Sequence, residues 1–151
     1  LGVRRQRQMC IRDRYNNLYK KLDTKIKQGL PTLSTCAGTI ILAKSVIDGD
    51  THIPNIDIEI QRNAYGRQNE SFEADVKFLN NNDIYCFIRA PKIIRTLNND
   101  VKVIATHIED IVGVSQDNIV SLTYHPELTN DNYYLEWLLA FMKEGKYVGS
   151  F

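Results

Sequence analysis

The sequence predicts an α/β domain built on a mostly parallel central sheet, and three observations support this prediction. Apolar residues recur at helical spacing early in the chain, short strand-like segments fill the middle, and a second amphipathic helix follows them. This order of helices and strands is typical of α/β folds. The length of 151 residues fits one domain with a core of its own.

The first half of the chain alternates between helix and strand patterns. Apolar residues spaced by three or four predict a first helix: Tyr15, Leu18, Tyr19, Leu22 and Ile26. Gly29 stands where that helix would end. We predict a short buried strand over residues 31–35, a helix over residues 37–46, and a half-buried strand over residues 55–62, where NIDIEIQR alternates apolar and polar residues.

The second half consists of short strand-like segments separated by turn residues. The segments are SFEADVKF, IYCFIRAP, VKVIAT, EDIVGVSQ and NIVSLTYHPE, and NNND and QDN supply turns between them. The last predicted element is a helix with one apolar face, formed by Tyr134, Trp137, Leu138, Phe141 and Met142. In α/β sheets, chemistry concentrates at the carboxyl ends of strands. Two motifs fall at such ends: Cys36, and the sequence HPE at residues 125–127.

Composition and charge exclude several classes of protein. No run of about 18 apolar residues is present, so no membrane span is expected. Three cysteines without C-x-x-C spacing argue against a disulfide framework or a zinc site and favour a reducing, cytoplasmic setting. Residues 1–14 hold five Arg and one Asp, a net charge of +4, whereas the remainder carries −3.

The basic segment at residues 1–14 differs from the rest of the chain. It lacks the features of a signal peptide, and it is similar to translated adapter sequence joined to a truncated reading frame. We expect residues 1–14 to be a foreign or disordered arm and residues 15–151 to form the domain. A functional basic arm that contacts nucleic acid is the alternative, and the net charge of −3 on the remaining chain argues against it.

Cys36 lies in the stretch LSTCAGTIILAK, between a predicted strand and a predicted helix. A strand-to-helix elbow exposes a nucleophile on a strained turn, and it needs small neighbours such as Ser34, Ala37 and Gly38. A helix that starts at Ala37 also directs its positive dipole end towards the sulfur, which favours the thiolate. A buried, unreactive cysteine fits the same surroundings equally well.

His125 and Glu127 form the second motif. Residues i and i+2 of a strand face the same side, and Pro126 biases His125 towards an extended conformation. A carboxylate can then orient one imidazole nitrogen while the other nitrogen faces a thiol, as in a catalytic triad. A lone histidine at a strand end is more often structural, but the nearby carboxylate and the elbow cysteine favour a catalytic role.

Taken together, these motifs resemble the class I glutamine amidotransferases. TCAG followed by HPE is the pattern of that superfamily, and QRNAYGRQNESFEADV, FIRAP and SLTYHPELTND resemble the glutaminase subunit of pyridoxal 5′-phosphate synthase. The resemblance covers nearly all of the chain from Tyr15 to the final helix. It implies a three-layer, flavodoxin-like fold and hydrolysis of L-glutamine to L-glutamate and ammonia. The partner that it implies is a synthase subunit, which receives the ammonia for vitamin B6 biosynthesis.

The resemblance also implies roles for individual residues. Cys36 is the expected nucleophile, His125 the general base and acid, and Glu127 the residue that orients it. The backbone N–H of Ala37 is the expected oxyanion donor. The glutamine-binding residues implied are Arg62, Ile88 and Arg89, although a solvated surface charge is the ordinary role of a single arginine. The resemblance implies no metal and no cofactor on this chain.

The sequence departs from the family pattern in one respect that affects activity. A first strand, a loop and a Gly-Gly-Glu-Ser segment are expected before Tyr15, and the basic segment occupies that place. The fold is therefore expected to miss its first strand, and the chain as written to show little or no turnover, since the loss of one oxyanion donor costs about 10²–10³ in rate. Two alternatives to a working glutaminase subunit remain: another class I amidotransferase subunit, and a non-catalytic interaction module with the same shell.

Overall fold

The computed structural model describes residues 2–66, 70–146 and 149, and for residues 2–13 it describes the backbone alone. Residues 67–69, within the segment QRNAYGRQNESFEADV, lie outside the described part. Three helices are described: α1 (Gly2–Lys27), α2 (Ala37–Leu42) and α3 (Asn132–Glu144). Gly29 follows α1 with a φ of 96°, a conformation that glycine adopts readily, so the predicted helix end is confirmed.

The described strands form a single sheet. They are β1 (Thr32–Thr35), β2 (Ala43–Ile47), β3 (Ile56–Gln61), β4 (Ser71–Phe78), β5 (Asn81–Ile88), β6 (Lys92–Thr96), β7 (Lys102–His107), β8 (Asp110–Gln116) and β9 (Ile119–Leu122). The order across the sheet is β2-β3-β6-β8-β7-β4-β5, and β9 pairs with both β8 and β1. The α/β class that the sequence predicts is confirmed, with a mixed central sheet flanked by helices.

The sheet contains more antiparallel pairing than the sequence predicts. Parallel pairs join β1 to β9 and β2 to β3, and the other described pairs are antiparallel. The physical reason is the length of the connections. Two-residue turns link β4 to β5, β7 to β8, and β8 to β9, and a connection of that length can join only antiparallel neighbours.

One predicted element differs from the structure, and one strand of the structure was not predicted. The helix predicted over residues 37–46 ends at Leu42, and Ala43–Ile47 forms β2 instead. β-branched Val46 and Ile47 favour an extended backbone, and they pair with Ile60 and Gln61 of β3. The sequence analysis also missed β6, a short strand of uneven polarity that follows Pro91.

The buried residues form two clusters, one under α3 and one beside β2, β3 and β6. Tyr134, Trp137 and Phe141 of α3 pack into the first cluster, as predicted, and Leu138 is partly buried. Met142 is the exception, since it is 62% exposed. Ile26 of α1 packs into the second cluster, which anchors the end of that helix on the sheet.

The first helix extends through the basic segment as well as the predicted helix. Its backbone is helical from Gly2, so residues 2–14 and the following residues form one continuous element. The assignment of residues 1–14 as a foreign arm and of residues 15–151 as the domain stays a prediction. Among the described residues, no helix combines the length and the apolar character that crossing a membrane requires.

Candidate active site

Cys36 occupies a strained turn between β1 and α2. Its φ of 47° and ψ of −109° lie outside the regions that most residues adopt. Its backbone N–H donates a hydrogen bond to the Leu122 carbonyl oxygen of β9 at 2.9 Å. Gly38 follows closely behind, where an added Cβ would come within 3.2 Å of the Ser34 Cβ. The sharp strand-to-helix elbow predicted from the sequence is therefore present.

The parallel pairing of β1 and β9 determines where His125 lies. Thr35, the last residue of β1, pairs with Leu122, the last residue of β9. Cys36 follows the first strand and His125 follows the second by three residues. Because parallel neighbours end at the same edge of a sheet, both residues leave the sheet on that edge.

The end of β5 contacts both of these residues. The backbone N–H of His125 donates to the Cys86 carbonyl oxygen at 2.9 Å, and the Cys36 thiol donates to the Ile88 carbonyl oxygen at 3.4 Å. Residues 86 and 88 are two positions apart on one strand, a separation of about 6.6 Å at the usual rise per residue. The nucleophile candidate and the base candidate therefore both lie against one short stretch of β5.

His125 and Glu127 contact each other directly. The imidazole Nδ1 and the carboxylate Oε1 are 2.6 Å apart, within hydrogen-bonding distance. His125 has an extended φ of −111°, which is the conformation favoured before a proline, and residues 126–128 then form one tight 3₁₀ turn. The His125 side chain is 21% exposed and that of Glu127 is 53% exposed. The carboxylate can therefore orient the ring, which leaves Nε2 as the nitrogen for proton transfer.

The pKa of the Cys36 thiol is higher than the sequence predicts. Burial raises its pKa above the ordinary value and the negative charge of Glu127 adds to this, while the Ala37 N–H acts in the opposite direction. The Ala37 N–H at the start of α2 thus favours the thiolate, but burial outweighs it, so the pKa of the thiol is raised. A raised pKa disfavours the thiolate, so a nearby base is needed to take the proton from the sulfur.

The predicted substrate-binding residues lie at different distances from this elbow. Ile88 is adjacent to it, since its carbonyl oxygen accepts from the Cys36 thiol. Arg89 follows with a φ of 47°, and its exposed guanidinium lies 3.8 Å from the Glu70 carboxylate. Arg62 lies in the turn after β3, where its side chain passes close to Gly49. Ile88 therefore contacts Cys36, whereas Arg89 lies near Glu70 and Arg62 lies near Gly49.

A group of buried hydroxyls that the sequence does not predict lies beneath the elbow. Ser34, Thr39 and Ser121 are each at most 6% exposed and contact one another or the β9 backbone. Only the small size of Ser34 was used as a signal, because serine and threonine in apolar surroundings give no distinct pattern in sequence.

A buried polar contact under the segment that carries Glu127 was also not predicted from the sequence. Asp131 is 5% exposed, caps α3 by accepting from the Tyr133 N–H at 2.9 Å, and accepts a hydrogen bond from the Tyr85 hydroxyl. Tyr85 precedes Cys86 on β5, so this contact ties the segment 125–131 to the same strand end.

Within the described residues, no three His, Cys, Asp or Glu side chains are grouped to hold a metal ion. The Cys36 thiol and the His125–Glu127 pair supply the groups that nucleophilic and proton-transfer chemistry needs.

Comparison with known proteins gives a consistent result. The model of the SNO glutamine amidotransferase family matches residues 7–144. The protein of Thermococcus onnurineus named pyridoxal 5′-phosphate synthase subunit PdxT is 44% identical over 129 residues, which cover 82% of this chain and 66% of the relative. The protein of the same name from Geobacillus thermodenitrificans is 39% identical over 141 residues, covering 91% and 71%.

Solved structures agree with the fold. A crystal structure described as a glutamine amidotransferase matches with a TM-score of 0.75 and 32% identity, over 83% of this chain and 68% of that chain. A Thermoplasma acidophilum protein described as a GMP synthase component matches with a TM-score of 0.58 at 16% identity, over 88% of this chain and 66% of that chain, which shows similarity of fold alone. The chain spans just under two thirds of the length of the first curated relatives, at 66% and 65%.

Proposed function

The chain belongs to the SNO glutamine amidotransferase family, and from this we propose that it acts as the glutaminase subunit of a pyridoxal 5′-phosphate synthase. In this proposal it hydrolyses L-glutamine to L-glutamate and ammonia, and it passes the ammonia to the synthase subunit for vitamin B6 biosynthesis. Relatives that are 39–44% identical carry the name of that subunit. The reducing conditions of the cytoplasm would keep the Cys36 thiol free for this role.

The first half of the reaction begins at Cys36. The thiol transfers its proton to His125, and the sulfur attacks the side-chain amide carbon of glutamine to give a tetrahedral oxyanion. The Ala37 N–H, which already points towards the sulfur, is the proposed donor to that oxyanion. His125 then protonates the departing nitrogen, so ammonia leaves and a γ-glutamyl thioester remains on Cys36.

The second half regenerates the enzyme. His125 takes a proton from water, the hydroxide attacks the thioester carbon, and the bond to sulfur breaks to release L-glutamate. Glu127 keeps the ring in the tautomer and orientation that both proton transfers need, and the 2.6 Å contact between Nδ1 and Oε1 supports this role. His125 then returns a proton to the sulfur, which regenerates the thiol.

Glutamine recognition is assigned to residues next to the elbow. Ile88 would border the amide that reacts, because its carbonyl oxygen accepts from the Cys36 thiol. Arg89 and Arg62 are the proposed partners for the charged end of the substrate, since a guanidinium binds a carboxylate through two parallel hydrogen bonds. Arg89 is the better placed of the two, as it directly follows Ile88.

One observation carries the proposal: the residues after β1 and after β9 meet at the end of β5. The Cys36 thiol and the backbone N–H of His125 donate to carbonyl oxygens two positions apart on that strand, and Glu127 contacts the His125 ring. A nucleophile, a base and an orienting carboxylate are the parts that amide hydrolysis through a thioester requires.

The test measures ammonia and glutamate released from L-glutamine by the protein mixed with a synthase subunit. The turnover expected of the chain as written is low, and we expect Cys36→Ser to abolish it. We also expect covalent labelling of Cys36 by a glutamine-analogue electrophile, at a rate that L-glutamine lowers. Co-purification with a different synthase would instead indicate that the chain serves another amidotransferase. If Cys36 fails to react with the analogue in the presence of the synthase subunit, the chain is a non-catalytic shell and the proposal is overturned.

A further inference from the structure

A cluster of three buried hydroxyls lies directly beneath the Cys36 elbow. The Ser34 and Ser121 hydroxyls, which face each other across the parallel β1–β9 pair, are 2.6 Å apart. The Thr39 hydroxyl lies 3.4 Å from that of Ser34 and is completely buried. Three hydroxyls in an apolar interior cost free energy unless they form hydrogen bonds. The hydrogen bonds that they form here therefore indicate what the cluster stabilises.

The Leu122 carbonyl oxygen is the point at which this cluster meets the elbow. It accepts one hydrogen bond from the Cys36 N–H at 2.9 Å and a second from the Thr39 hydroxyl at 2.7 Å. One carbonyl oxygen has two lone pairs, so this group holds the strained turn and the first turn of α2 at the same time. Leu122 ends the strand that leads into His125, three residues further on.

The strain at Cys36 explains why these two hydrogen bonds to the Leu122 carbonyl oxygen, which we call the clamp, are needed. A non-glycine residue at a φ of 47° and a ψ of −109° costs free energy, and it persists only where the surroundings fix it. α2 has six residues and contributes little rigidity by itself. Without the Thr39 hydroxyl, the Cys36 N–H would be the one donor to the Leu122 carbonyl oxygen among those described.

We propose that Thr39 is a positioning residue, whose hydroxyl fixes the Cys36 elbow on the strand that leads to His125, with Ser34 and Ser121 holding Thr39 in turn. This inference rests on the proposed function only for its kinetic consequence, because the geometry of the clamp does not require turnover. Thr39 does not contact the reacting atoms. Its effect is to hold the sulfur beside the Ala37 N–H, at the sheet edge where His125 also lies.

The variants follow from the shape of the side chain. Thr39→Val keeps the volume and removes the hydroxyl, while Thr39→Ser keeps the hydroxyl. Ser115→Ala is the matched control, because Ser115 is 1% exposed on the neighbouring strand β8 and its hydroxyl has no hydrogen-bond partner among the described residues. Ser121→Ala removes the partner of Ser34 and tests the same cluster if Thr39→Val does not fold.

The first measurement needs no substrate. The rate of Cys36 alkylation by iodoacetamide is followed against pH, with mass spectrometry to separate Cys36 from the other cysteines, and thermal unfolding is recorded alongside. We expect Thr39→Val to move the midpoint of the profile upward, because the Ala37 N–H then supports the thiolate less well. Thr39→Ser and Ser115→Ala should keep the midpoint of the unmodified protein. An unchanged midpoint in folded Thr39→Val, or in Ser121→Ala in its place, overturns the inference.

The second measurement is glutamine hydrolysis with the synthase subunit present. We expect Thr39→Val to lower kcat by about tenfold with KM little changed, the size of effect that one hydrogen bond produces, and Thr39→Ser to restore it. A shifted alkylation profile in a protein that neither hydrolyses glutamine nor reacts with the glutamine-analogue electrophile would uphold the clamp and count against the proposed function. A loss of kcat of equal size in Ser115→Ala would show a general effect of removing buried hydroxyls and overturn the inference.

Discussion

Thr35 and Leu122 are paired at the ends of two parallel strands, β1 and β9. The chain turns into α2 one residue after Thr35, and it reaches His125 three residues after Leu122. This single register brings Cys36 and His125, which are far apart in the sequence, to one edge of the sheet, and β5 contacts both. A shift of that register by one residue would turn the side chains of one strand to the opposite face and separate the two groups.

The carboxylate of Glu127 should matter for turnover more than its exposure suggests. Glu127→Gln keeps the shape but weakens the contact with the His125 ring, so we expect kcat to fall by about 10²-fold with a smaller change in KM. The assay is ammonia release from L-glutamine with the synthase subunit. Glu136→Gln, an exposed position on α3, is the matched control and should retain full activity. Equal rates for the two variants would contradict the orienting role.

The pH dependence of Cys36 alkylation follows from its raised pKa. Because burial and the charge of Glu127 both favour the neutral thiol, the thiolate fraction at about pH 8 is smaller in the folded protein than in the unfolded chain. We expect Cys36 to be alkylated more slowly at that pH when folded, with a midpoint above that measured in denaturant. Glu127→Gln removes the negative charge and should move the midpoint downward. A midpoint below the denatured value would show that the helix start dominates after all.

The first and last helices and most strands were predictable because their patterns are local. The alternation in residues 55–62 and the spacing of Tyr134, Trp137 and Phe141 reflect the face that each element buries, and the structure confirms both. β2 was not predictable in this way. Its sequence AKSVI continues an apolar run from α2, and only its pairing with β3 determines that it is a strand. Tertiary contacts outweigh local preference at such positions.

The residues of the candidate site also divide into those that the sequence predicts and those that only tertiary contacts define. Cys36, His125 and Glu127 were found because strand ends and small residues mark them in the sequence. Thr39 and Ser121 were missed, since a buried hydroxyl in an apolar segment acquires its role only from a partner that is distant along the chain. The direction of the Cys36 pKa was also missed, because burial is a property of the folded protein.

The buried tyrosines predict a loss of stability at alkaline pH. Burial raises the pKa of Tyr85, Tyr124 and Tyr134 above the ordinary value of 10.0. Their contribution is fully present below about pH 10, where the phenols are neutral in both states, and it is lost as the pH rises further because only the unfolded chain ionises freely. We expect the urea midpoint to fall steeply above about pH 10.

Phenolate absorbance provides the check on these tyrosines. Tyr85, Tyr124 and Tyr134 should ionise only as the protein unfolds, so their phenolate absorbance should appear together with the loss of structure. A titration in denaturant is the control, in which all eight should ionise together. A single smooth titration of the folded protein at the denatured midpoint would contradict the assignment.

Asp131 is expected to stabilise the fold through two separate hydrogen bonds. Its carboxylate accepts from the Tyr133 N–H as the cap of α3 and from the Tyr85 hydroxyl of β5. Asp131→Ala removes both contacts and leaves a buried phenol without its partner, so we expect the free energy of unfolding to fall by about 2–4 kcal/mol. Asp131→Asn keeps an acceptor for the cap and should cost about half as much. Tyr85→Phe removes only the strand contact. Urea unfolding of the three variants separates these contributions, and an Asp131→Ala variant no less stable than Asp131→Asn would show that the cap contributes nothing.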